Sequence, residues 1–72
     1  MNKELFRYFM AKNKDNMKSV AEALGMHEIT LYKKLNNEGH NELDRWEIVV
    51  LAKRWGLSRD NFFAIFFADI MA

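Results

Sequence analysis

The sequence predicts an all-α fold of five short helices, and three observations carry that reading. Apolar residues recur at helical spacing along the whole chain. Residues suited to starting and stopping helices lie between those stretches. No segment alternates apolar and polar residues for long enough to make a strand, and the 72 residues contain no proline.

Leu5/Phe9 and Phe6/Met10 are i,i+4 pairs on one stripe, which predicts a first helix over about 3–12, broken by Lys12-Asn13-Lys14-Asp15-Asn16. Asn16 is suited to cap a second helix, about 17–24, in which Val20, Ala21 and Leu24 share a face. Gly25 then supplies a residue at ease in the left-handed conformation that ends helices. A third helix covers about 28–35, followed by the polar segment Asn36-Asn37-Glu38-Gly39-His40-Asn41, which reads as a loop. Asp44 with Glu47 three residues on is the spacing of a capping box, and it opens a fourth helix bearing Ile48, Leu51, Ala52 and Trp55 on one side and ended by Gly56. Ser58 can cap a fifth, about 59–67.

Seventy-two residues make one domain, 1–72, because so short a chain buries only about 60% of the surface that its unfolded form exposes. Half the residues are hydrophobic and 29% are charged, which excludes the disordered class. Without cysteine there is no disulfide, thiolate metal site or cysteine nucleophile, so stability of roughly 4–10 kcal/mol must come from packing, and a reducing cytoplasm suits the chain. The longest apolar run, from Phe62 to Ala68, is far short of the ~20 residues of a membrane-spanning helix. The N-terminus has no long apolar core or small-residue cleavage site and reads as mature structure.

Charge is informative only when divided. Residues 1–34 carry seven basic groups against four acids, giving +3; residues 35–72 carry four against six, giving −2 and a net +1 overall. The first half can face a polyanion, yet the total is low for a dedicated nucleic-acid binder.

Residues 17–36 have the layout of two helices crossing at a tight turn: small Ala21 where the helices approach, Gly25 in the turn, and Val20, Leu24, Met26 and Leu31 facing the rest of the bundle. This segment resembles the helix-turn-helix of Cro and phage-repressor (XRE-like) regulators. The resemblance extends to one helix before the motif and two after it, and the ending Asn-Phe-Phe-Ala-Ile-Phe-Phe is similar to small regulators of temperate phages. It implies a five-helix lambda-repressor-like DNA-binding domain, with the helix-turn-helix at about 17–35, acting in the host bacterial cytoplasm. Two positions depart from the family's pattern: Met17 stands where a polar residue is common, and Lys34 where an apolar one is expected, with Leu35 supplying the anchor one place later.

At ~100° per residue, Leu31 and Leu35 inward send Ile29, Tyr32, Lys33 and Asn36 outward, with Glu28 and Thr30 at the edges of that face. In a major groove Lys33 would donate to guanine, Ile29 touch a thymine methyl and Glu28 accept from cytosine, each good bidentate pairing being worth ~1–3 kcal/mol. Lys14, Lys18, Lys34 and Asn37 would sit near phosphates. The plain alternatives are that Glu28 compensates the helix dipole, that Tyr32 packs over the turn and that the lysines are merely solvated. His27 reads as a helix-start residue and His40 as a loop residue. Neither has neighbours for metal or acid–base chemistry, so no enzyme activity, metal or cofactor is expected.

Phe62, Phe63, Phe66, Phe67 and Ile70 form a broad stripe. It either completes the core against Leu5, Phe6, Phe9 and Trp55 or forms a homodimer surface, which would set two reading helices about one DNA turn, ~34 Å, apart. Two functions follow from the resemblance. One is a transcriptional regulator of a lysis–lysogeny switch that binds double-stranded operator DNA through helix 28–35. The other is an antirepressor, or modulator of repression, that binds the phage repressor protein. The low net charge, Glu28 and Ile29 suit the second.

Overall fold

The computed structural model describes residues 1–36 and 42–68. Among these the chain is all-helical, with no strand: α1 (Lys3–Lys12), α2 (Met17–Leu24), α3 (Glu28–Leu35), α4 (Arg45–Trp55) and α5 (Arg59–Phe66). The first four have the bounds expected from sequence, and α5 stops one residue sooner, at Phe66. No helix among the described residues is long and apolar enough to cross a membrane. Asn37 and His40, named above, and Ile70 lie outside the described residues.

Local side-chain chemistry sets the helix starts. Asn2 accepts a hydrogen bond from Leu5 N at 3.0 Å, and Ser58 accepts from Asn61 N at 3.2 Å. Asn16 and Ser19 cap reciprocally: Asn16 Oδ1 accepts from Ser19 N at 2.8 Å, and Ser19 Oγ accepts from Asn16 N at 2.9 Å. Each satisfies a donor that the first helical turn leaves unpaired.

Three helices end in the same way. Gly25 (φ 69°) and Gly56 (φ 58°) adopt the left-handed conformation. The next residue donates back across the last turn in each, Met26 N to Ala21 O and Leu57 N to Ala52 O, both at 3.0 Å. That is the Schellman arrangement, and it satisfies carbonyls that the helix cannot. α1 closes identically, Asp15 N donating to Met10 O at 2.9 Å, but its left-handed residue is Lys14 (φ 59°).

α2 packs on α3 and α4, and α1 packs on α5. The core consists of Phe6 and Phe9 from α1, Val20, Ala21 and Leu24 from α2, Leu31 from α3, Leu51 and Trp55 from α4, and Ile65 from α5. Phe6 sits edge-on to Trp55 at 5.0 Å and to Phe66 at 6.4 Å between ring centroids, contacts worth about 0.5–1.5 kcal/mol each beyond the area they bury. Ile65 is the fully buried residue of α5, and its carbonyl accepts from Asn2 N at 2.7 Å, tying the chain's start to the last helix. Of the phenylalanines that either complete the core or form a dimer surface, Phe66 packs against the core.

Two polar contacts also fasten the helices. The Asp15 carboxylate is 6% exposed and accepts four hydrogen bonds. They come from Arg54 Nε and Nη2 at 2.9 and 2.8 Å, Trp55 Nε1 at 2.7 Å and Ser19 Oγ at 2.9 Å. The Arg54 guanidinium above all holds the Asp15 carboxyl far below the usual carboxylate range, against the opposing effect of burial. The second contact joins Lys34 to Glu47, the buried charged residue of α4.

Candidate functional site

α3 is a short helix with one face in the core and one in solvent. His27 caps it, Nδ1 accepting from Ile29 N at 3.2 Å, and Glu28 in the first turn favours the helix dipole. Leu31 is fully buried, and Leu35 packs against the core from a half-buried position. The anchoring fixes the opposite side: Glu28, Ile29, Thr30, Tyr32 and Lys33 are all exposed. Ile29 and Tyr32 are the large apolar groups of this side, 61% and 56% exposed. More than half of Tyr32 is thus open to solvent.

Asn36 is half-buried and held in place. Its Oδ1 accepts from Lys3 Nζ at 2.9 Å and its Nδ2 donates to Tyr32 O at 3.1 Å. It forms the seam between α3 and α1 rather than standing free in the middle of the face.

The four residues expected near phosphates part company. Lys14 and Lys18 are exposed, and their side chains have no hydrogen-bonding partner among the described residues. Asn37 lies outside the described residues. Lys34 turns the other way: its side chain is 17% exposed, with Nζ 3.0 Å from Oε1 of Glu47 and 3.9 Å from Oδ2 of Asp44. This resolves the departure noted at Lys34, since a charged residue occupies an inward position when a buried carboxylate waits there. What α3 then offers outward is one carboxylate, one ammonium and an apolar middle, a surface of no net charge.

Met17, the other departure, is half-buried against the core and helps to line an apolar hollow beside Tyr32. The hollow is built from three helices, and nothing in the spacing of a single helix announces it. On α5, Phe62, Phe66 and Phe67 are half-buried and Phe63 is exposed. The four rings contact one another at centroid distances of 5.5–5.8 Å. Phe66 completes the core against Phe6, whereas Phe63 does not.

No protein-family description, curated protein or solved structure matches the chain. The residues themselves carry the functional reading.

Proposed function

We propose that α2, its glycine turn and α3 form a helix-turn-helix of the Cro and phage-repressor kind in a five-helix lambda-repressor-like domain. In this reading the chain is a small regulator of a phage lysis–lysogeny switch. Its α3 face grips the phage repressor protein and alters that protein's DNA binding.

The observation that carries the choice of partner is the pairing of exposed Ile29 and Tyr32 on α3 while Lys34 is drawn into the protein. Protein interfaces are enriched in aromatic residues and depleted of charge at their centre, with charges such as Glu28 and Lys33 at the rim. A DNA-reading helix flanked by phosphates needs the opposite, a surplus of cations. A second reading, direct binding of operator DNA, is supported by Lys14, Lys18 and Lys33, which are exposed.

The deciding experiment mixes the chain with a phage repressor and with that repressor's operator, separately and together, at about 0.15 M salt, where exposed charges are partly screened. The proposal expects a repressor complex without DNA, lost in Ile29→Ala and Tyr32→Ala. A complex with operator alone, weakening steeply with salt, establishes the DNA reading instead, and binding to neither partner overturns both.

A further inference from the structure

Beside the α3 face the surface folds into a cavity of about 340 Å³ between α1 and α3. Buried Phe6 forms its floor, Met10 and Ala11 of α1 and Met17 of α2 one side, and Tyr32 and Leu35 of α3 the other. The volume is at the low end of the roughly 300–1,000 Å³ range of ligand pockets, enough for a large apolar side chain.

Its charged lining is of one sign. Lys3 and Arg7 stand at the rim, and among the described residues no carboxylate lines it. Lys3 is steered by its hydrogen bond to Asn36, whereas the exposed Arg7 has no partner among the described residues. An occupant complementary to this hollow carries a bulky apolar group with negative charge close by. A nucleic-acid strand would meet the two cations but leave Met10, Met17 and Leu35 against a sugar–phosphate chain, so a protein segment fits better. Tyr32 belongs both to the cavity wall and to the exposed side of α3, and such a segment would continue directly onto that face.

We infer that this cavity is an anchor pocket for an acidic, amphipathic segment of a partner protein, receiving one large apolar side chain flanked by Asp or Glu. The inference rests on the reading of α3 as a protein interface and deepens it by naming the chemistry of the partner segment.

The test selects binders of the full chain from a phage-displayed library of random 12-residue peptides, which offers acidic, basic and neutral sequences on equal terms. Recovered sequences are expected to pair Leu, Phe or Trp with Asp or Glu, and a fluorescein-labelled representative is then titrated by anisotropy. Ala11→Trp fills the hollow from an exposed position and is expected to weaken that peptide about tenfold or more, a loss of the size set by one hot-spot contact. Arg7→Glu is expected to shift preference toward the same peptide with Lys in place of its acids, which guards against misreading a poorly folded Ala11→Trp. Peptide binding that survives Ile29→Ala separates the pocket from the outer face of α3. Recovery of no common sequence, recovery of basic or wholly polar sequences, or equal binding by Ala11→Trp and wild type overturns the inference. If it falls while Ile29→Ala still abolishes repressor binding, the reading of the α3 face stands without the pocket.

Discussion

The ammonium of Lys34 lies 3.0 and 3.2 Å from the two carboxylate oxygens of Glu47, whose side chain is only 3% exposed. The same Oε1 accepts the backbone N–H of Asp44 at 2.7 Å, so the cap that starts α4 and the ion pair that holds α3 to it share one oxygen. Breaking a buried pair from one side leaves an uncompensated charge, which costs more than the pair itself contributes. Lys34→Met is therefore expected to lower stability by about 3 kcal/mol in urea unfolding, whereas an exposed phosphate-contacting lysine would cost less than about 0.5. Adding Glu47→Gln to that variant is expected to restore most of the loss, because the amide oxygen can still accept the Asp44 N–H without a buried charge.

Asp15 gives stability a dependence on acid. Its carboxyl is held far below the usual range in the folded chain, chiefly by Arg54. A lowered folded-state value means that the stabilisation is complete above the unfolded carboxylate value of about 3.9 and is lost progressively as pH falls below it. Urea midpoints measured from pH 6 to pH 2.5 are expected to drop more steeply below pH 4 for the wild type than for Asp15→Asn. At pH 7, Asp15→Ala is expected to cost about 2 kcal/mol, since it leaves the N–H of buried Trp55 and the Arg54 fork without their acceptor.

These two contacts also mark where sequence reading stops. Helix bounds were legible because caps and stops are local: Asn16, Gly25, Asp44, Gly56 and Ser58 each act within one turn. The outward set on α3, apart from half-buried Asn36, was legible because Leu31 fixes the rotation of the helix. The α4 partners of Asp15 are 39 and 40 residues away and Glu47, the partner of Lys34, is 13 away, beyond anything helical periodicity can pair. The inward side of α5 stays open in the sequence for a related reason. Its three turns or fewer carry apolar stripes through 62/66, through 63/67 and at 65, all compatible with one helix, and only the neighbouring helices select Ile65 for burial.

Lys14 occupies the place at the end of α1 that glycine occupies at the ends of α2 and α4. A side chain in the left-handed conformation costs roughly 1–2 kcal/mol, partly offset by the greater freedom that glycine has when unfolded. Lys14→Gly is accordingly expected to raise stability by about 0.5–1 kcal/mol, read as a higher thermal midpoint with unchanged helical circular dichroism. A fall in the midpoint would show that the lysine side chain holds the turn through some contact of its own.

The two readings of function make opposed predictions for two exposed residues, Lys18 and Ile29. Neither contributes to the core, so replacing either with alanine is expected to leave unfolding within about 0.5 kcal/mol of wild type. If a protein is the partner, Ile29→Ala removes an apolar group from the centre of the contact and weakens binding at least tenfold, whereas Lys18→Ala changes affinity little. If DNA is the partner, the effects take another form. Lys18→Ala then weakens binding to every sequence alike and reduces the slope of log affinity against log salt by about one unit, the signature of a lost phosphate contact. Ile29→Ala would instead relax preference at a single base pair. Titrating both variants against repressor and against operator at several salt concentrations separates the cases. A loss confined to Lys18→Ala, with the full change in salt slope, would remove the protein interface from α3.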